Sequence, residues 1–521
     1  MQLNPAFRII KNHVVFPVKD PEKTRLVFPM AKIAPNKGSY ICAVPHTIEV
    51  TRFFRNNGHN LPSPIMSEYN WPGRYKPYPH QIDTAEFLIV NKRAYLLSGM
   101  GTGKSASALW AADFLMKKGD IQKCLIVSPL STLDQVWAKE IFQILPHRKC
   151  HILYGTRAKR MELLNDRSVD FYIINHDGMK LVEKELEARP DINHVIIDEA
   201  AVLRNAGTTR NKVAFRILNR QGVDRGAWGL TGTPTPTAPT DCFGQIKVIT
   251  PESYRYGFKT LQSELMMQVS QYKWVPKHNS AERVNALMQP SIRYALEDCV
   301  SLPPTIWHER TCELSPEQKK HYETMRKTSL AEIEGMQVTA VNAAVLFGKL
   351  LQVSCGVTYG NNKEILEMDF GPRLSVLREI IEECNEKVII FVPFTAALRS
   401  IEDKLKRDWS VAVVDGSVAA GKRNKIFKDF QDEKDPHIIL AHPGTMAHGL
   451  TLTAASTIIW YAPVTSNEIF LQANARIVRP SQTKTTNIVM ISGSQVEEKI
   501  YRTIKERGKL QDLVLELVKG G

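Results

Sequence analysis

No stretch of this 521-residue chain approaches the ~18 uninterrupted apolar residues that a membrane-crossing helix needs. Its first twenty residues, MQLNPAFRIIKNHVVFPVKD, carry charges where a secretory signal would be apolar. A cytosolic or nucleoplasmic protein is expected. Cysteine is sparse and scattered: eight residues, no CxxC and no Cys/His cluster at metal-ligand spacing, which argues against a structural zinc or a disulfide framework. Internal repeats and low-complexity tracts are also absent, so neither a solenoid nor a disordered chain is in view.

Charge of one sign is plentiful. Lys and Arg number 68 against 54 Asp and Glu, a net +14, which favours a polyanionic partner over a small-metabolite enzyme. Residues 1–60 hold nine Lys or Arg against three Asp or Glu, so a net +6 sits at the amino terminus.

From Ala94 onward, short apolar runs alternate with helical-period segments: YLLS ending at Ser98, CLIVS at Ser128, FYIIN at Asn175, HVIID at Asp198 and WGLTG at Gly232. That rhythm predicts a parallel α/β sheet. A second set predicts another: KVIIFV from Lys387, SVAVVDG from Ser410, HIILAH from His437, TIIWYA from Thr457 and NIVMISG from Asn487. The expected division is a small basic α+β domain over residues 1–65, a first lobe over 66–250, helical insertions over 251–383 and a second lobe over 384–521. In the first of these, HTIEVTRFFRNNG predicts a helix ending at Gly58, LPSP marks a boundary, and the aromatics Phe7, Phe16, Phe28, Tyr40, Phe53 and Phe54 are expected in the core more than as stacking platforms.

Three segments carry chemistry. SGMGTGKS, Ser98 to Ser105, follows a predicted strand and opens a helical stretch, the setting of a phosphate-binding loop. Gly101 and Gly103, with Thr102 between them, let backbone N–H groups close on phosphate oxygens; Lys104 reaches the β and γ phosphates and Ser105 ligates magnesium. Ser98 stands where the usual pattern has its first glycine. Further on, HVII runs into Asp198 and Glu199, placing two carboxylates at a strand's carboxyl end. Asp198 suits magnesium, held through water, and Glu199 suits orienting and deprotonating the attacking water. Finally, QANARIVRPSQ carries Arg476 and Arg479 three apart, so that both are expected on one helix face and able to neutralise transition-state charge from the opposite lobe.

Together these resemble superfamily-two ATPases, and finer strings resemble the Swi/Snf-like branch. PHQ, ending at Gln81, resembles its adenine-reading motif; LIVSPLSTLDQVWAKE, Leu125 to Glu140, resembles motif Ia; LTGTPTPT, Leu230 to Thr237, resembles motif III. KVIIFVPF from Lys387 resembles motif IV, HGLTLTAASTIIWYAP from His448 motif V, and QANARIVRPSQ motif VI, in the right order. LPPTIWHERTCELSPEQKKHYE from Leu302 is similar to the segment joining the family's lobes. The resemblance implies two RecA-like lobes, ATP with Mg²⁺ as cofactors, a nucleotide contact at Gly449, and coupling through Thr231, Gly232, Thr233 and Gln472. It further implies phosphate contacts from Ser128, Pro129, Ser131, His176, His442, Gly444 and Thr445. One departure weakens the implied coupling: motif II reads DEAA, with Ala201 where the family usually has His.

The expected function is an ATP-driven monomeric motor on double-stranded or branched DNA, of compact bacterial or phage type, with residues 1–65 choosing the substrate as the small domains of annealing helicases do. A strand-separating DNA or RNA helicase and a nucleotide-gated binding protein with vestigial hydrolysis remain as alternatives.

Overall fold

The structure is a computed structural model describing residues 7–36, 38–270, 273–299, 302–334, 340–359, 365–446 and 451–506. The chain divides into two compact units, the boundary falling after Cys299.

The first unit is built on a seven-stranded sheet in the order Ser291–Ile292, Arg93–Leu96, Gly226–Leu230, Ile192–Asp198, Lys123–Ser128, Phe171–Asn175 and Cys150–Ile152. Every pairing in it is parallel. Helices cover both faces, and the central strands accordingly read as continuous apolar runs, buried along nearly their whole length. The helix Lys104–Lys118 leaves the strand Arg93–Leu96 through a loop and stops at Gly119, whose left-handed backbone (φ 85°) closes the last turn. The second unit carries a six-stranded sheet, also parallel throughout, ordered Thr305–Thr311, Thr486–Ser492, Ala455–Trp460, Lys387–Phe391, Ile438–Ala441 and Val411–Val414. A buried ion pair ties two of its helices: Arg373 donates to Glu497 at 2.6 Å and to the Tyr461 carbonyl at 2.6 Å.

All ten strands expected from the apolar runs are present within a few residues of their expected positions. The stretch expected to be helical, 251–383, does hold helices, among them Phe258–Leu265, Ser280–Leu287 and Pro316–Glu334. It also gives an edge strand to each sheet, Ser291–Ile292 to the first and Thr305–Thr311 to the second. The latter, TIWHERT, is rich in β-branched and aromatic residues, a strand preference overshadowed by the helical patterns on either side.

At the amino terminus a four-stranded antiparallel sheet, Arg8–Ile10, His13–Val18, Ser39–Pro45 and Lys32–Asn36, packs on the helix Ile48–Asn56, which Thr47 caps. Its aromatics are core: Phe16 meets Phe54 edge-on at 5.0 Å and Phe28 meets Phe53 at 4.9 Å, while Tyr40 is exposed. Two of its basic residues fasten the module to the helix Pro79–Val90. Arg52 donates to the Val90 carbonyl at 2.7 Å, and Arg55 pairs with Glu86 at 2.6 Å. These two are spent on the fold. Among the described residues, no helix is long and apolar enough to cross a membrane.

One buried group gives the first unit a pH response. His194, in the central strand Ile192–Asp198, lies against Trp228, and its Nε2 has no hydrogen-bond partner among the described residues. Burial pushes its imidazole down to about 3 from 6.5, with lesser contributions from Lys92 and Arg93. Between those values the unfolded chain binds a proton that the fold does not, so stability falls as pH falls through that window, by about 1.4 kcal/mol per unit once well below 6.5. Urea melts at pH 7.5 and 5.5 are expected to show His194→Leu losing about 1 kcal/mol less than wild type across that interval. Equal losses in the two proteins would contradict this assignment.

Candidate nucleotide site and nucleic-acid interface

Strand register brings the first unit's chemistry to one edge. Leu230 pairs with Leu96 on one side and with Asp198 on the other. One row across three parallel strands therefore holds the starts of the Ser98–Ser105 loop, of the Thr231–Thr233 segment and of the Asp198–Glu199 pair. Adjacent strands lie about 4.8 Å apart, so loop and carboxylates face each other across roughly 10 Å. This is the carboxyl edge, where open parallel sheets bind ligands.

The loop needs its glycines for geometry. Gly101 and Gly103 have φ of 81° and 78°, and Gly103 caps the helix Lys104–Lys118. A Cβ on Gly103 would also collide with the Gln81 side chain. Gln81 Nε2 donates to the Thr102 carbonyl at 3.2 Å and Oε1 accepts from the Tyr78 N–H at 3.0 Å, while His80 Nε2 lies 2.9 Å from the same Thr102 carbonyl. The PHQ segment is thus a brace behind the loop. Lys104 Nζ arches back to the Ser98 and Gly99 carbonyls, 3.0 Å from each, and Ser105 follows half-buried in the first helical turn.

Ser98, the departure from the usual glycine, ties the loop to a neighbouring segment. Its buried hydroxyl accepts from the Tyr294 N–H at 3.0 Å. The Tyr294 carbonyl accepts from the Gly99 N–H at 2.8 Å. The edge segment Ser291–Tyr294 is thereby stitched along the strand and into the loop, a contact between residues 196 apart that nothing local foretells.

Asp198 is held at both oxygens. Trp137 donates its indole N–H to Oδ2 at 3.0 Å, and the Glu199 backbone N–H donates to Oδ1 at 3.0 Å. Burial pushes this carboxyl above its ordinary value, opposed by the Trp137 hydrogen bond and by the nearby Lys104 ammonium. Glu199 takes a left-handed backbone (φ 50°, ψ 51°), sparse for any residue but glycine and costing about 1 kcal/mol or more. Such strain is tolerated where a side chain must be aimed. Ala201 is buried behind it in the short helix Ala200–Leu203. Thr231 is fully buried, its N–H on the Leu96 carbonyl at 3.0 Å and its hydroxyl accepting from the Thr233 N–H at 3.2 Å, with Gly232 between them.

Of the residues proposed from resemblance to contact nucleic acid, Ser131 is exposed, Pro129 is half-buried and Ser128 is fully buried. His176 is buried with its Nε2 2.9 Å from the Asp198 carbonyl, which makes it a neighbour of the carboxylate pair. Sequence spacing left Trp137 unremarked, because an apolar residue at helical period reads as core.

In the second unit, the helix Asn467–Asn474 ends before the arginines that sequence spacing put on one helix face. Pro480 disfavours helical backbone at Arg479, and Arg476 and Arg479 lie in the turn that follows the helix. In that turn each donates Nε to the carbonyl four residues back, Arg476 to Gln472 and Arg479 to Ala475, both at 2.8 Å. Arg476 is buried and Arg479 half-exposed. Gln472 is buried with its amide on Glu468 at 3.2 Å. Asn474 anchors the turn by accepting from Trp460 Nε1 at 2.9 Å. His442, Gly444 and Thr445 form a tight turn after the strand Ile438–Ala441: the Gly444 N–H donates to His442 Nδ1 at 3.2 Å, and the Thr445 hydroxyl to the His442 carbonyl at 2.7 Å. Gly449 lies outside the described residues.

A Mycoplasma pneumoniae protein named an uncharacterized ATP-dependent helicase is 25% identical over 81% of this chain and 40% of its own length. A protein of Acyrthosiphon pisum secondary endosymbiont phage 1 is 24% identical over 85% of this chain and 99% of its own. The solved Sulfolobus solfataricus SWI2/SNF2 ATPase core in complex with dsDNA aligns over 84% of this chain and 92% of that one, at 19% identity and a TM-score of 0.39. The chain spans 39% and 40% of the length of two Mycoplasma relatives that it matches. The helicase conserved C-terminal domain matches residues 372–481, and the SNF2-related domain matches residues 80–355, more than half of the chain. The chain belongs to the SNF2-related family of ATP-dependent helicases.

Proposed function

We propose that this protein hydrolyses ATP to move along double-stranded or branched DNA without sequence preference. The observation that carries the proposal is the row Leu96, Leu230, Asp198, which sets the glycine-bearing Ser98–Ser105 loop and the Asp198–Glu199 carboxylate pair at one sheet edge. In this reading Gly101, Thr102 and Gly103 present backbone N–H groups to the phosphates, Lys104 leaves its loop carbonyls for phosphate oxygens, and Gln81 reads the adenine. Ser105, in the first turn of its helix, and Asp198, at the carboxyl end of its strand, are hard oxygen donors, a set that suits magnesium, and these two would hold it. When bound, the ion supplies charge neutralisation at the β and γ phosphates. Glu199 accepts the proton of the attacking water, and Arg476 and Arg479 stabilise charge on the transferred phosphoryl group.

Ser128, Pro129, Ser131, His442, Gly444 and Thr445 are small or backbone-presenting groups suited to positioning on phosphates without reading bases. The net +14 supports a polyanionic partner. Coupling runs through Thr231, Gly232, Thr233 and Gln472. The amino-terminal module, fastened by Arg52 and Arg55, selects branched over plain duplex DNA with its other basic residues. Displacement of a third strand from a DNA triplex, driven by ATP, tests the motor reading.

A further inference from the structure

The segment that links the exposed Ser131 to the buried Trp137 has unusual backbone. It passes from a tight turn, Leu130–Thr132, through a π-helical turn, Leu133–Ala138, into the α-helix Lys139–Ile144. π-turns are rare and concentrate at functional positions. At the outer end, Leu130 is 53% exposed and Ser131 is open to solvent. At the inner end Trp137 is fully buried with its indole N–H on Asp198 Oδ2 at 3.0 Å. One short element therefore has one end at the surface and the other on a carboxylate oxygen.

We propose that Trp137 is a positioning residue that orients the Asp198 carboxylate for its metal and transmits to it the state of the Leu130–Thr132 surface turn. The proposal rests on the motor reading above. Two further observations favour it. The second oxygen of Asp198 is already fixed by the Glu199 N–H, so the Trp137 bond sets the carboxylate's remaining freedom, its rotation about that contact. The opposite route is poor in polar contacts: Ala201 offers no side-chain donor or acceptor towards the Thr231–Thr233 segment. A tie to the same residue comes from His176, whose Nε2 lies 2.9 Å from the Asp198 backbone carbonyl.

The test removes the N–H and keeps the ring. Trp137→Phe is expected to raise the Mg²⁺ concentration for half-maximal binding of a fluorescent ADP by about tenfold, the lower end for groups that orient a metal ligand. ADP affinity without metal should be unchanged. The ratio of duplex-stimulated to unstimulated turnover should fall about tenfold or more, a hydrogen bond to a charged group being lost from the relay. A packing role alone would lower the melting temperature and leave the Mg²⁺ midpoint and that ratio in place, and this result overturns the proposal. If Trp137→Phe fails to fold, 3-benzothienylalanine at position 137, which keeps the bicyclic shape and replaces the N–H by sulfur, carries the same two outcomes. Wild type unresponsive to nucleic acid would count against the motor reading, and the metal dependence of ADP binding would still decide for or against Trp137.

Discussion

Glu199→Gln is expected to lower DNA-stimulated ATP turnover by about 10²- to 10⁴-fold while leaving the KM for ATP near its wild-type value. The amide keeps the size of the side chain and its left-handed backbone but cannot accept a proton from the attacking water at neutral pH. The phosphate contacts proposed for Lys104 and the backbone of Gly101 to Gly103 are untouched, so nucleotide binding is expected to persist. Phosphate release measured for wild type and variant, with and without DNA, reads the effect. Equal slow rates throughout would mean that Glu199 takes no proton and that the chain is a nucleotide-gated binding protein.

Arg479→Ala is expected to cost about 10³-fold in kcat, the lower range for arginines that neutralise a transferring phosphoryl group. Arg476→Ala is expected to cost as much and to lower stability as well. The difference follows from burial: Arg476 lies under the turn, and its carbonyl accepts from the Leu452 N–H at 3.0 Å, whereas Arg479 is half-exposed. Truncating Arg476 leaves a cavity and disturbs the turn; truncating Arg479 removes a charge and little packing. Melting curves alongside kcat at saturating DNA separate the two cases. An Arg479→Ala protein with unaltered turnover would remove it from the chemistry.

What was legible in the sequence follows from the range of the interactions involved. The ten strands could be read because a parallel strand buried on both faces is an unbroken apolar run, a purely local signal. The tight turn at Ser98–Ser105 could be read because its glycines answer a local backbone demand. The edge strands Ser291–Ile292 and Thr305–Thr311 were hidden, since each is defined by a partner far along the chain. Ser98 shows the same limit: the sequence marks it only as a departure from a pattern, and the Tyr294 N–H that its hydroxyl accepts from lies far along the chain. The arginine pair was half legible. The spacing of three, which put both arginines on one helix face, misses the end of the helix at Asn474 and the restriction that Pro480 places on Arg479. Trp137 could not be recognised at all, since its role depends on where an indole N–H points.

The central claim is movement on duplex DNA, and third-strand displacement measures it without strand separation. With a triplex placed on one arm of a duplex, the protein and ATP are expected to release the third strand, while Glu199→Gln with ATP, or wild type with a non-hydrolysable analogue, releases none. Duplex-stimulated hydrolysis by wild type with the third strand still in place would contradict the account, because ATP would then be turned over without motion.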